Sequence, residues 1–271
     1  SHYKQPKISL TFLILQMTKM IILGCGSSLG SPWITNYWGK CSKTNPLNMR
    51  TRCSAYIEKK DLSILIDTSP DIKKQILDNK INDVNHVLYT HEHADQTNGI
   101  FELRPFYWKN KKKINIYADK RTLKVLMDKH DYCFYGRQGY VPILKGNLVK
   151  NKFSLVSRKS KINFLCFPVK HGHIKCNAYI FDGIAYLSDC NGIEKKYLKK
   201  MKNLKYLVID CLKINKHPSH FNLNECINLT KEIKPKKTIL TNLHSDLDYK
   251  KLKKILPKNV TPAYDGMSFN L

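Results

Sequence analysis

Two histidines and a carboxylate stand within five residues, in the stretch His91-Glu92-His93-Ala94-Asp95. This stretch follows residues 86–90, which we predict to form a short strand. Alternate side chains of an extended segment share a face, so His91 and His93 are expected to point the same way. Imidazole and carboxylate groups grouped in this manner are typical ligands of a divalent cation. For the histidine pair alone, the alternative is a polar loop with two solvated rings.

The motif resembles the metal signature T-H-x-H-x-D-H of the metallo-β-lactamase fold hydrolases. It matches from Thr90 to Asp95 and departs at Gln96, where the signature has its last histidine. The resemblance runs from about Met20 to the C-terminus and is closest to the branch that contains phosphoribosyl cyclic-phosphate phosphodiesterases. It implies a four-layer αββα sandwich and a metal-dependent hydrolase. The other segments that carry it are 23–30, 50–54, 67–71 and 263–267.

The resemblance also implies ligands from later parts of the chain. His171 matches the third histidine of the family and would complete a three-imidazole site with His91 and His93. Asp189, which closes a predicted strand, matches the carboxylate that bridges two metals, and Asp95 matches the aspartate of the signature. Asp67, at another predicted strand end, reads as an acid that orients a ligand histidine.

The second metal position of the family has lost both of its histidines in this chain. Gln96 and Asn242 stand where the resemblance requires imidazoles. Carboxamide oxygens are harder and weaker ligands than imidazole, so we expect this site to be vacant or to prefer a harder ion such as Mn²⁺ or Mg²⁺. His244, two residues after Asn242, is a candidate substitute ligand. The cofactor expected is Zn or Mn, with one ion per chain and a doubtful second site.

Three further residues are candidates for handling a substrate. In the resembling branch a histidine near the scissile phosphate follows a late strand, and His220 fits that position, with a role in protonating the leaving oxygen. The alternative for His220 is a helix cap. Arg50 and Arg52 are candidates for binding phosphate, because a fork-shaped guanidinium holds a phosphate better than a point charge does.

Strands and helices alternate throughout the chain, which indicates an α/β protein with many strands. Asp182-Gly183 between two apolar runs predicts a hairpin. Ser69-Pro70 predicts the start of a helix with Ser69 as its cap, followed by a helix stripe that includes Leu77. A further helix is expected at 222–233.

The length of 271 residues and the hydrophobic content of 42% allow a large core. We predict one domain at residues 20–271, preceded by a leader or appended segment at residues 1–19. No apolar run reaches the length of a membrane span, so no membrane partner is expected.

The formal net charge of +26 is compatible with nucleic-acid binding or with attraction of a small anionic substrate. Only six of the 47 basic residues are arginine, so 47 − 6 = 41 are lysine. Runs of lysine are equally typical of solvated helix faces. The nine cysteines show no C-x-x-C pair, which favours a reducing, cytoplasmic compartment.

The functional hypothesis is a metal-dependent hydrolase that cleaves phosphodiester bonds, with a small or cyclic phosphodiester as substrate. Two alternatives remain open: an RNA-processing nuclease of the same fold, and a degenerate metal-binding module without turnover. A homodimer is compatible with each of them.

Overall fold

The computed structural model describes residues 17–271. The predicted leader therefore lies outside the described residues as far as residue 16. The first strand already includes Lys19, one residue before the predicted start of the domain. At the other end of the chain, the N–H of Leu271 donates to the carbonyl of Thr18 at 2.9 Å. The two ends of the described chain thus meet in one sheet.

The strands are β1 Lys19–Gly24, β2 Ser54–Lys59, β3 Leu62–Ile66, β4 His86–Leu88, β5 Ile114–Ala118, β6 Leu144–Leu148, β7 Lys152–Val156, β8 Lys161–His171, β9 Ile174–Phe181, β10 Ile184–Leu187, β11 Tyr206–Asp210, β12 Lys237–Thr241, β13 Val260–Pro262 and β14 Met267–Asn270. The α-helices are α1 Ile72–Asp78, α2 Ala94–Thr97, α3 Arg104–Asn110, α4 Lys120–Lys129, α5 Asp131–Tyr135, α6 Lys195–Leu198, α7 Leu223–Ile233 and α8 Tyr249–Ile255. Turns of 3-10 helix occur at Pro46–Asn48, Ile100–Leu103 and Lys199–Met201.

The strands form two seven-stranded sheets with matching plans. The first has the order β14-β1-β2-β3-β4-β5-β6 and the second the order β13-β12-β11-β10-β9-β8-β7. In the first sheet β3 to β6 are parallel neighbours, and in the second β10 to β13 are. The remaining pairs are antiparallel. Parallel strands bring their carboxyl ends to one edge, where ligands of open α/β sheets bind.

Side chains alternate along each strand between two apolar layers. In β3, Ile64 and Ile66 face the second sheet, whereas Leu65 packs beneath the helices. Phe164 and Tyr186 of the second sheet meet them in the space between the sheets. On the far side of the second sheet a third cluster is covered by residues of α7 and α8. The order helix, sheet, sheet, helix confirms the predicted four-layer αββα sandwich.

The hairpin predicted at Asp182-Gly183 joins β9 to β10, and both residues have positive φ, 40° and 80°. The helix start predicted at Ser69 is wrong by two residues, because α1 begins at Ile72. The Ser69 hydroxyl accepts the N–H of Asp71 and donates to Gln75, so it stabilises the turn before the helix. Leu77 is 67% exposed and does not belong to the buried stripe.

All nine cysteines are buried and unpaired. No helix found between residues 17 and 271 combines the length and the apolar character that crossing a bilayer requires.

His86 on β4 is mostly buried beside Tyr117, and its Nδ1 has no hydrogen-bond partner within residues 17–271. Burial lowers the pKa of its imidazole to about 4. Between that pKa and the ordinary value the unfolded chain binds more protons, so His86 reduces stability as the pH falls from 6.5 to 4. We expect the free energy of unfolding of the native protein, relative to that of a His86→Gln variant, to decrease as the pH falls from 6.5 to 4. Urea unfolding at pH 7.0, 5.5 and 4.5 measures it. A pH-independent difference would contradict it.

Candidate metal centre

The functional side chains predicted from the sequence come from strand ends that meet at one edge of the sandwich. The stretch from His91 to Asp95 follows β4, and His171 is the last residue of β8. Asp189 follows β10, and Asn242 follows β12, which is separated from β10 only by β11. The sheets place these residues together because each segment leaves its strand at the same edge.

The motif loop is fastened to the opposite sheet. The hydroxyl of Tyr179 donates to the carbonyl of Tyr89 at 2.7 Å, and the N–H of Asn177 donates to the carbonyl of Thr90 at 2.8 Å. Both donors lie on β9. β4 itself ends at Leu88, so the two histidines lie in the loop after the strand and not in the strand itself.

The three histidine rings form a compact, mutually tilted group. Ring centroids are 4.5 Å apart for His91 and His93, and 5.2 Å apart from each of these to His171. The interplanar angles are 73°, 69° and 67°. Nε2 of His91 and Nδ1 of His93 are 2.9 Å apart. The three rings are thus grouped closely enough to be candidates for holding one cation, and of the three it is His91 and His171 whose nitrogens belong to groups of ligand atoms within 4.8 Å of one another.

Hydrogen bonds on the outer side of the rings select the nitrogen that is free. Nδ1 of His91 lies 3.0 Å from the hydroxyl of Thr90, which in turn donates to Asp67 at 2.8 Å. Asp67 also accepts the N–H of Thr90 at 2.8 Å. With its hydrogen given to Asp67, the Thr90 oxygen accepts from His91, which leaves Nε2 of His91 available. The sequence analysis assigned this orienting role to Asp67, and the intermediate hydroxyl of Thr90 was missed.

His171 is oriented by the backbone. Its Nδ1 lies 2.8 Å from the carbonyl of Ser219, so this nitrogen carries the hydrogen and Nε2 is free. Burial lowers the pKa of His171 to about 4, and burial together with neighbouring His93 and His171 holds the pKa of His91 well below its usual range. Both rings are therefore uncharged at neutral pH, which is the form that binds a metal.

Carboxyl groups surround the open side of the histidine group. Asp95 is on α2 and half-buried, while Asp189 and Asp210 are almost entirely buried. Burial, followed by the charges of Asp95 and Asp210, raises the pKa of Asp189 to about 8. Burial also raises the pKa of Asp210 far above its ordinary value. So much buried acid beside the uncharged rings of His91 and His171 fits a cation, since a positive charge stabilises the ionised carboxylates.

The two amides at the family's second metal position contact the bridging carboxylate. Gln96 donates from Nε2 to Asp189 at 3.1 Å and to Asp95 at 3.3 Å. Asn242 donates from Nδ2 to Asp189 at 3.3 Å and to Asp210 at 3.1 Å. Both amide NH₂ groups thus donate to Asp189, the carboxylate that the resemblance implies as a metal ligand.

Asp210 is a functional residue that the sequence analysis missed. Its Oδ2 lies 2.7 Å from Nδ1 of His220, and it also accepts the N–H of Cys190 at 2.8 Å. His220 is held close to Asp189, at 3.8 Å from Nδ1 to Oδ1. The signal was present in the sequence, because Asp210 closes the predicted strand next to the one that Asp189 closes.

Two groups of three residues bring ligand atoms within 4.8 Å of one another: His171, Asp189 and His220, and His91, His171 and Cys176. His220 and Asp189 therefore belong to the same centre as the histidines. Cys176, on β9, was not predicted, and its thiol lies on the buried side of the rings. Burial raises the pKa of this thiol far above its usual range, so it is protonated without a cation nearby.

A cavity of about 320 Å³ opens onto this centre. His244 lines it, but its Nδ1 is 3.2 Å from Asp246 and its ring lies edge-on to Trp33, so it belongs to the cavity wall beside the centre. The residues that line the cavity are Ser27, Ser28, Leu29, His93, Asp95, His171, Asp189, Leu212, Lys213, His217, Ser219, His220, Asn242 and His244. Lys213 is a cation that the sequence analysis did not single out.

The prediction that Arg50 or Arg52 binds substrate here is corrected, because neither residue lines the cavity. Arg50 is 2% exposed and donates to the carbonyls of Leu247 and His244. Arg52 is paired with Asp71, with Nε 2.7 Å from the carboxylate. Both arginines border a separate cavity on the other side of Leu29. Their guanidinium groups hold loops together.

Fold and site together define a protein of the metallo-β-lactamase fold. The model of the family described as the Beta-lactamase superfamily domain matches residues 63–242, and the chain belongs to this family. Within it the chain stands in the PhnP-like branch. A crystal structure described as a new diphosphatase from the PhnP family superposes with a TM-score of 0.86 at 27% identity, over 94% of this chain and 97% of that one.

More distant structures share the fold. Zn²⁺-bound PqqB from Methylobacterium extorquens superposes with a TM-score of 0.77 at 15% identity, over 93% of this chain and all of that one. The short form of human tRNase Z gives 0.65 at 15% identity, over 93% of this chain and 98% of that one. In sequence, an octanoyltransferase of Porphyromonas gingivalis (strain ATCC BAA-308 / W83) is 29% identical over 255 residues, 92% of this chain. The chain spans about half (51%) of the length of that relative.

The hydrogen bond that Nδ1 of His91 donates to the Thr90 hydroxyl should have a measurable effect on metal affinity. We expect Thr90→Val to weaken zinc binding by about 10- to 100-fold, because His91 loses the acceptor that fixes its tautomer. Thr90→Ser keeps the hydroxyl and should bind zinc as the native protein does. Competition with a chromophoric chelator measures both constants. Equal affinities of the Val and Ser variants would show that the hydroxyl does not orient the ring.

The amide side chains of Gln96 and Asn242 lead to a prediction about the number of metal ions bound per chain. Replacing both, Gln96→His with Asn242→His, should raise the metal content by about one ion per chain, since it restores imidazoles at the second position. Elemental analysis of protein purified with Zn²⁺ or Mn²⁺ in excess measures this change. An unchanged metal content in a folded variant would mean that these two positions do not face a shared second ion.

Proposed function

We propose that this chain is a hydrolase that uses one divalent cation, Zn or Mn, to cleave the phosphodiester bond of a small anionic substrate. His91, His93 and His171 would hold the cation, with Asp189 and Asp95 as the carboxylates beside it. The observation that carries the proposal is the position of His220. It lies next to Asp189 at the edge of the histidine group and is fixed by Asp210. An imidazole beyond the three proposed ligands, oriented by a carboxylate, is what proton transfer beside the cation requires.

When bound, the cation would supply positive charge for the phosphoryl oxygens and a water of lowered pKa. The chain's own residues supply the rest. Nδ1 of His220 is engaged by Oδ2 of Asp210 at 2.7 Å, so Nε2 is the ring nitrogen that remains to protonate the leaving oxygen. Burial lowers the pKa of His220, whereas Asp189 and Asp95 oppose that shift.

Phosphoryl chemistry is favoured by the cavity and by the comparisons. Lys213, His217 and His244 line the wall beside His220, and a volume of about 320 Å³ admits a small molecule. The similar structure described as a diphosphatase acts on a phosphorus compound, and at 27% identity over nearly the whole chain it supports the same class of reaction here. Substrate tests should therefore include phosphodiesters and diphosphates.

The test removes the metal ligands and the acid separately. His91→Ala with His93→Ala should abolish both bound metal and hydrolysis of bis-p-nitrophenyl phosphate. His220→Asn should retain metal and lower kcat by about 100-fold or more, because only proton transfer is lost. His130→Ala, outside the cavity, is the matched control. Elemental analysis and steady-state kinetics are the measurements.

Two outcomes would overturn the proposal. One is full activity in protein freed of metal by chelation. The other is a His220→Asn variant with unchanged kcat on every phosphodiester and diphosphate that the native protein hydrolyses. A native protein that loads metal and hydrolyses none of them would favour the module without turnover.

A further inference from the structure

An exposed group of aromatic side chains lies on the outer helical layer of the first sheet, away from the cavity of the metal centre. We call it the aromatic patch, and it consists of Phe101, Arg104, Trp108, Tyr132 and Tyr140. Phe101, Trp108 and Tyr140 are 41%, 47% and 46% exposed. Large aromatic side chains grouped on a surface mark a binding site more often than they serve the fold.

Arg104 stands at the centre of the patch. Its guanidinium carbon is 5.0 Å from the ring centroid of Tyr140 and 5.7 Å from those of Phe101 and Trp108. It forms no ion pair with any carboxylate in the described part of the chain. A guanidinium stacked among rings is held flat at the surface and retains its charge for a partner.

Tyr132 packs against the apolar core and supports the patch from beneath, whereas Phe101, Trp108 and Tyr140 are exposed. Helix α3, which carries Arg104 and Trp108, has no fully buried residue. Tyr140 lies on a loop whose Gly139 has φ +85° and would meet nothing within 4 Å if it carried a Cβ. The patch rings contact one another, with centroids 6.1 Å apart for Phe101 and Tyr132 and 5.7 Å apart for Tyr132 and Tyr140.

The surroundings of the patch are positively charged. The lysine run within residues 109–113 continues directly from Trp108, and Nζ of Lys111 is 4.9 Å from the Trp108 ring. Asp131, the acid beside Tyr132, is neutralised by Arg137 at 2.9 Å. Glu102 is the acidic residue that remains next to Phe101. Lys111 therefore places a cation directly beside the exposed rings, and Lys112 and Lys113 continue the charge toward a neighbouring cavity.

We propose that the aromatic patch binds single-stranded nucleic acid, with bases stacked on Trp108 and Tyr140 and phosphates along the lysine run. Any base can stack on an aromatic ring, and lysine side chains can pair with the phosphates of the nucleic-acid backbone. The site is separate from the metal centre, so it does not depend on the hydrolase activity. Together with the proposed hydrolase activity, this surface would recruit a polyanion to a chain that cleaves phosphodiesters.

A second copy of this chain is the competing occupant. Trp, Tyr and Arg are also the residues that dominate protein interfaces. Charge disfavours it, because each copy carries a formal +26 and the contact would oppose two lysine runs. The same positive charges attract a polyanion, so the affinity of the protein for a polyanion should fall as the salt concentration rises.

The test uses fluorescein-labelled dT and rU twelve-mers and fluorescence anisotropy between 50 and 300 mM salt, conditions of the order at which salt dependence is resolved. Trp108→Leu should weaken binding by about tenfold or more with an unchanged salt slope, because a stacking contact is lost. Lys111→Gln with Lys112→Gln should make the log–log slope shallower by about 0.7 for each phosphate contact removed. Tyr37→Leu, an exposed aromatic on another loop, and Lys124→Gln are the matched controls.

Circular dichroism establishes that each variant is folded, and hydrolysis of bis-p-nitrophenyl phosphate by Trp108→Leu should equal that of the native protein. That readout separates failure of this proposal from failure of the proposed hydrolase. Sedimentation velocity completes the test. Equal oligonucleotide affinity of the native protein and Trp108→Leu would overturn the proposal. If Trp108→Leu also converted a native dimer to monomers, the patch would be assigned to a second copy.

Discussion

The concentration of buried carboxyl groups at one edge of the sandwich is the constraint on which the site depends. Asp67, Asp189 and Asp210 are each less than 5% exposed, and burial raises the pKa of all three. A fold tolerates such groups only when donors or cations satisfy them. The surrounding chain supplies Thr90 to Asp67, Gln96 and Asn242 to Asp189, and a backbone N–H to Asp210.

The amides explain how the chain has departed from its family without a change of fold. An NH₂ group placed where the second cation would lie donates a hydrogen bond to the same carboxylate oxygens. It supplies only partial positive charge, and burial together with the charges of Asp95 and Asp210 raises the pKa of Asp189 to about 8. The sheets need no adjustment, because Gln96 and Asn242 lie in segments that follow strands β4 and β12. The oxygen Oε1 of Gln96 is buried without a partner among residues 17–271.

Much of the fold could be read from the sequence, because strand alternation and turn chemistry act locally. Asp182-Gly183 specifies its hairpin by itself, and Ile64 and Ile66 share a face because of the pleat. The four layers came from the family resemblance, since periodicity does not show which sheet faces which. The start of α1 was misplaced because the Ser69 hydroxyl forms a turn there and not a cap.

The sequence predicted some residues of the candidate site and not others. Residues with a motif were found, whereas Asp210 and Thr90 act through hydrogen bonds that join segments far apart in sequence. Arg50 was misjudged on residue type. A guanidinium also donates to backbone carbonyls, and the burial of Arg50 against those of Leu247 and His244 shows that it has this role here. The aromatic patch has no motif, because its members come from the 3-10 turn Ile100–Leu103, from α3, from α5 and from a loop about 30 residues after α3.

The fastening of the motif loop to β9 has a mechanical consequence. Tyr179 and Asn177 hold the carbonyls of Tyr89 and Thr90, so the loop of one sheet is tied to a strand of the other. Sliding of the sheets would move His91 and His93 relative to His171. The apolar core between the sheets therefore helps to fix the spacing of the three histidine rings. Replacing Phe164 or Tyr186 with a residue of different size would shift one sheet against the other and strain this spacing.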